Sequence, residues 1–155
     1  MTACKHEHEH KTPEQLLATA RQICDEQGRR FTKLREHVFT LIAGSKGPIK
    51  AYDLLDQLRP EFGSPKPPTV YRALDFLSGL GLVHRVEALN AYIACDHSVD
   101  NYQEKGGHIA EFFICETCEN LEERSANDHI DCIPGGFVIR RSVIEHYGIC
   151  KNCAA

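Results

Sequence analysis

No stretch of this chain approaches the roughly 20 apolar residues that a membrane-spanning helix requires. The opening residues, MTACKHEHEH, lack the apolar core of a secretory signal. Both absences point to a cytosolic protein. No HExxH or comparable motif is present. An open metal position with an adjacent base, as a zinc hydrolase needs, therefore has no visible carrier. No internal repeat is evident, and neither sign of charge dominates, since the formal net charge is −4. That near-balance hides an asymmetry. Residues 11–95 carry 12 Lys/Arg against 9 Asp/Glu, whereas residues 96–155 carry 5 against 11. A mildly basic first half and an acidic second half suggest two tasks on one chain. The basic excess alone is as consistent with ordinary surface charge as with a nucleic-acid partner.

What is present suits a soluble globular protein. The 155 residues are 42% hydrophobic and 26% charged, enough for one ordinary domain or two small ones. The first ten residues are polar, with Cys4, His6, His8 and His10 close together. They read as a solvated tail or a loose metal trap. Thr12, Pro13 and Gln15 form the start of a helix, with a capping box and proline at the first helical position. Leu16, Ala20 and Ile23 recur at helical spacing, and Gly28 ends the run. A second helix starts after Thr32, with Leu34, Val38, Leu41 and Ile42 as its stripe, and stops at Gly44. A third spans about Ala51 to Phe62. The turn GSPKPP at residues 63–68 leads into a fourth, PTVYRALDFLSGLG. Its apolar face carries Val70, Leu74, Leu77 and Leu80; Thr69, Arg72 and Asp75 lie opposite, with Tyr71 beside them.

The period then changes to two. LVHRVE (82–87) and AYIAC (91–95) flank Leu89–Asn90 as a β-hairpin. Helices followed by a hairpin are the order of a winged helix-turn-helix, whose second motif helix enters the major groove. DHSVDNYQEKGG, 96–107, reads as a linker. IAEFFIC and ENLEER read as two strands around a C-x-x-C turn, SANDHIDCI as a short helix, and GFVIRRSVIEHYGIC as a long strand. Such a strand, exposed in so small a unit, invites pairing with a second copy.

Eight cysteines in a cytosolic chain speak against a disulfide scaffold. CETC at 115–118 is answered by CKNC at 150–153, with 31 residues between. Two such pairs are the pattern of paired zinc knuckles. Cys115, Cys118, Cys150 and Cys153 could enclose one ion in a tetrahedral, structural site. A redox dithiol needs one pair opening a helix in a βαβ setting, which neither pair has. Cys24 and Cys132 read as packing residues. Cys95 stands apart, at the end of the hairpin. A turn centred on Leu89–Asn90 sets His84 opposite Cys95. A similar count around CETC sets Glu123 opposite about Ala110, two residues from His108. His84, Cys95, His108 and Glu123 could then meet between the two halves as a mixed zinc shell. A lone histidine in a strand is more often just a partly buried side chain.

KPPTVYRALDFL, then GLVHRVE, then the two cysteine pairs, the second after IEHYG, resemble the ferric uptake regulator family, and within it the zinc uptake regulator branch. The resemblance runs from about residue 13 to Cys153. It implies an α+β chain: an N-terminal winged helix-turn-helix domain that binds DNA plus a small C-terminal α/β dimerisation domain. The organisation expected is a disordered His-rich tail over 1–12, the DNA-binding domain over 13–96, a linker over 97–107, and a dimerisation and zinc-binding domain over 108–155. By position, the four paired cysteines match a structural zinc site. His84, Cys95, His108 and Glu123 match a regulatory one, giving two ions per subunit. Tyr71 and Arg72 match the DNA-facing turn of the recognition helix, with Thr69 beside them, and Tyr52 matches a further DNA contact. Phe112 and Phe113 stand where iron-sensing relatives carry a His-rich cluster, which separates this chain from them. His146, Glu111, Glu122 and His97 are left as remnants of a further metal site or as solvated and packing residues.

The function implied is a zinc-responsive repressor of zinc uptake genes, a homodimer on a palindromic DNA operator, with no membrane partner and no small organic substrate. The alternatives are an iron-, manganese- or peroxide-sensing regulator on the same scaffold and, from a different class, a zinc hydrolase or thiol oxidoreductase.

Overall fold

The structure, a computed structural model, describes residues 11–95, 108–125, 134–138 and 141–154. The His-rich tail over 1–10, the linker over 97–107 with His97, and the expected short helix with Cys132 lie outside the described residues. Four helices come first: α1 (Pro13–Glu26), α2 (Lys33–Ala43), α3 (Ala51–Phe62) and α4 (Pro67–Gly79). The capping box at Thr12 forms as its residues dictate. The Gln15 N–H donates to Thr12 Oγ1 at 3.3 Å, and the Thr12 N–H donates to Gln15 Oε1 at 2.8 Å. Thr32 caps α2 through its hydroxyl alone, which accepts the Arg35 N–H at 3.4 Å. Gly28 follows α1 at φ +60, a left-handed position that glycine takes without strain. Helix α4 begins one residue earlier than expected. Pro67 and Pro68 fill its first turn, where a missing N–H leaves no backbone bond unmade.

The helices bury one face each. Ala20 and Cys24, Val38 and Phe39, Leu54 and Leu58, and Val70, Leu74 and Leu77 meet in one core. Behind α4, β1 (Val83–Val86) and β2 (Ala91–Ala94) form the hairpin, or wing. Ile49 pairs with Tyr92 through two backbone hydrogen bonds of 2.8 and 2.9 Å and ties the wing to the helices.

The expected registers are both corrected by two residues. His84 faces Ile93, not Cys95. The reason is that Asn90 closes the turn instead of sitting at its centre: its N–H donates to Glu87 O at 3.1 Å, and its φ is +46. Asparagine tolerates that left-handed conformation. Glu123 likewise faces Phe112, not Ala110. Side chains alternate with period two, so a slip of two keeps every residue on its intended face.

The second half is a three-stranded sheet ordered β4-β3-β5, from β3 (His108–Cys115), β4 (Leu121–Ser125) and β5 (Arg141–Gly148). β4 runs antiparallel to β3, and β5 runs parallel to it. The long strand expected from Gly136 onward is not formed at residues 136–138, and β5 is described from Arg141. Gly136, at φ +80, and the bond from the Phe137 N–H to Pro134 O at 3.0 Å hold that approach in a turn. Ala110, Phe112 and Ile114 project from β3 towards the wing and bury with Val86, against which Leu89, Ile93 and Leu121 also pack. The chain is α+β: a winged helix-turn-helix followed by a small sheet.

Leu74 is fully enclosed at the centre of the helical core. Leu74→Ala is expected to lower unfolding stability by about 2–5 kcal/mol. Urea titration followed by circular dichroism measures this, and a loss below about 1 kcal/mol would contradict the packing described.

Candidate metal centres and nucleic-acid interface

Parallel pairing sets Cys115, the last residue of β3, beside Gly148, the last of β5. Both C-x-x-C turns therefore open at one end of the sheet. Each is a tight knuckle: the Glu119 N–H donates to Cys115 O at 2.9 Å, and the Cys153 N–H donates to Cys150 O at 3.0 Å. The four sulfurs all lie within 4.8 Å of one another, with Cys118 Sγ and Cys150 Sγ 3.8 Å apart. Four thiolates bound at roughly 2.3 Å to a tetrahedral ion sit about 3.8 Å from each other. A disulfide would need about 2.05 Å.

The charges fit the same reading. The Cys150 N–H donates to Cys115 Sγ at 3.3 Å. This donor, joined by the Cys118 N–H, holds the Cys115 thiol down to about 6. Cys153 is pushed up to about 12 by its contacts with the Cys118 and Cys150 thiols. One thiolate is favoured at neutral pH, and four together are not. A divalent soft cation is what such a set accommodates, with release of protons on binding.

The second centre lies at the seam between the wing and the sheet. His84 is in β1, Cys95 follows β2, and Glu123 is in β4. The Cys95 N–H donates to Leu82 O at 2.9 Å, which continues the wing ladder one step and keeps Cys95 on the face of His84. The donor atoms of His84, Cys95 and Glu123 lie within 4.8 Å of one another. His84 Nε2 is 4.0 Å from Glu123 Oε1, and their side chains are 3% and 10% exposed. The Phe112 ring meets the His84 ring edge-on, at 5.9 Å between centroids, and closes the floor. One nitrogen, one sulfur and one oxygen, buried and convergent, make a donor set suited to zinc. His108 opens β3, and its side chain lies outside what the structure describes.

The four candidates for DNA contact are all exposed. Val70, Ala73, Leu74, Phe76 and Leu77 turn α4 inward, which leaves Thr69, Tyr71 and Arg72 exposed along its first turns. Tyr52, in the first turn of α3, is 67% exposed. No acidic residue occupies the first turn of α4, and Lys66 precedes it. The arrangement offers an open, cation-bearing helix start for contact with phosphates and base edges.

Of the remnant candidates, His97 lies outside the described residues, and His146, Glu111 and Glu122 do not assemble a third centre among the described ones. His146 Nε2 lies 2.8 Å from Glu111 Oε1, and its ring stacks on Phe113 at 4.7 Å. Glu122 pairs with Arg124 at 3.4 Å. Among the described residues, only the two sets above bring three or more ligand atoms together. Sequence reasoning missed Glu145, which accepts the Glu87 backbone N–H at 2.7 Å across the seam. It also missed Arg35, stacked 3.7 Å over the Phe76 ring of α4. Neither has a motif; only the strand and helix packing reveals them.

Residues 26–135 match the profile of the ferric uptake regulator family. The zinc uptake regulation protein of Escherichia coli (strain K12) is 41% identical over 150 residues, across 94% of this chain and 85% of that protein. A solved zinc uptake regulator complexed with zinc and DNA superposes with a TM-score of 0.76 at 42% identity, over 93% of this chain and 96% of that one. Holo XcZur gives 0.71 at 37% identity, over 89% and 96% of the two chains. Apo XcZur gives 0.53 at 33%, over 93% and 99%. A profile match over most of its length, and a relative this similar over nearly all of it, show that this chain belongs to the ferric uptake regulator family.

Proposed function

We propose that this protein is a zinc-responsive, DNA-binding transcriptional repressor of zinc uptake genes, with zinc as its corepressor. The observation that carries the reading is the buried His84–Cys95–Glu123 set, because it draws ligands from both the wing and the sheet. Relatives named for zinc uptake regulation, one of them solved with zinc and DNA, support it. The superposition is also better on the holo than on the apo form of one relative.

In this reading His84, Cys95 and Glu123, with His108 as fourth ligand, hold a regulatory ion. Cys115, Cys118, Cys150 and Cys153 hold a structural one, giving two zinc ions per chain. When bound at the seam, zinc supplies bonds that join wing to sheet. The residues of the seam then favour one angle between the domains, taken as 13–96 and 108–155. Zinc and DNA affinities rise together, by a coupling of typically about 1–3 kcal/mol. Arg72 is suited to guanine or phosphate, with the exposed Thr69, Tyr71 and Tyr52 as further contacts.

β5 forms an outer edge of the sheet, and Val143, Tyr147 and Ile149 near it are exposed. Pairing of this edge with a second copy would place two recognition helices on one palindromic operator. No helix among the described residues is long and apolar enough to cross a membrane. The DNA-binding role itself assigns the protein to the cytoplasm.

Cys95 favours zinc over iron or manganese, which prefer oxygen and nitrogen donors. The family is one of transcriptional regulators, and the four-sulfur set is closed, with no position for a substrate.

Zinc titration of operator binding, followed by fluorescence anisotropy with metal content measured in parallel, tests these roles. Cys95→Ser should raise the zinc needed for half-maximal binding by at least the roughly 10–100-fold that loss of a supporting group costs. It should leave one tightly held zinc per chain. Unchanged zinc dependence would remove Cys95 from the sensor. Cys153→Ser should instead lose that tightly held ion, and full retention would refute the structural assignment. Arg72→Ala should weaken operator binding roughly tenfold or more with zinc content intact. Equal affinity would contradict the groove assignment.

A further inference from the structure

We infer that Glu145 is a metal-free clamp between wing and sheet, and a positioning residue for zinc-dependent DNA binding. The second part of this inference rests on the function proposed above; the clamp itself does not.

Phe112 has a register partner on each side: Glu123 in β4 and Glu145 in β5. The three residues form one row across the sheet, beneath the wing. Two strand spacings put the flanking positions roughly 10 Å apart. Each carboxylate reaches up to a different part of the hairpin. Glu123 meets His84 and Cys95 at the base of the wing. Glu145 Oε1 accepts the Glu87 N–H at 2.7 Å at its tip, where the ladder has just ended at Val86. The other oxygen of Glu145 accepts the Tyr147 hydroxyl, which orients the carboxylate. The Glu87 side chain pairs with Arg85, at 3.4 Å.

The geometry explains why two fasteners matter. Attachment at the zinc side alone leaves the hairpin able to rock over the Phe112 ring. A second attachment across that pivot removes the rocking. A hydrogen bond to an ionised acceptor is among the stronger kinds, and neither partner of this one belongs to the two ligand sets. Glu145 therefore holds the wing near the angle that zinc then fixes.

The test uses the full-length, zinc-loaded protein. At saturating zinc, Glu145→Ala should bind operator DNA about tenfold more weakly, with both zinc ions retained. Glu145→Gln keeps an acceptor oxygen but not its charge and should fall between the parent and Glu145→Ala. Hydrogen exchange should show the Glu87 amide protected in the parent and in Glu145→Gln, and fast in Glu145→Ala. Parent-like DNA affinity of Glu145→Ala would overturn the positioning role, as would a Gln variant as weak as the Ala variant. Fast exchange of the Glu87 amide in the parent would overturn the clamp, whether or not the Ala variant folds. A parent protein whose DNA binding ignores zinc would sink the regulatory reading, and the exchange data would still judge the clamp.

Discussion

Phe112 lies completely enclosed between the wing and the middle strand of the sheet, and everything else at the seam is arranged around it. Burying such a ring contributes roughly 1.5–3 kcal/mol, enough to bias two small units towards contact and too little to lock them. A contact of that strength is adjustable. Polar groups placed around the ring decide how well it holds, and they can be altered by a ligand. His84 shows how closely the apolar and polar parts are joined, since one face of the imidazole meets Phe112 while Nε2 is turned to Glu123. The position that could have been a metal ligand is here an apolar pivot.

The two ligand sets divide the chemistry. The sulfur cluster sits at the ends of β3 and β5, within one sheet. The mixed set draws on β1, β4 and the end of β2, and so spans wing and sheet. A donor set of all thiolates suits permanent retention, and one with a carboxylate and an imidazole suits exchange. Location and donor type thus point in the same direction in each case.

Much of this was legible in the residues. Capping signals and apolar stripes located α1 to α4 within a residue or two, because helix ends are encoded locally by Thr12, Thr32, Gly28 and the prolines. The cysteine pairs announced their own partnership by spacing. The hairpin registers were misjudged by two because turn geometry depends on which residue takes a left-handed conformation, and Asn90 could have sat at the centre or the end. His84, Cys95 and Glu123 converge despite that error because strand faces repeat every second residue. Glu145 was invisible for a different reason. Its role depends on β5 lying parallel to β3, a contact between segments about 30 positions apart that no local pattern specifies.

That parallel pairing also bears on how the protein is made. A parallel strand pair closes a long loop before any contact rewards it, so it forms late. The helical core contains only segments up to the end of the wing and can fold as a unit while the remainder is still being synthesised. The sulfur cluster joins the two ends of that late loop. The knuckle at 150–153 lies near the end of the described chain, so the four cysteines can come together only after nearly every other described residue has been made.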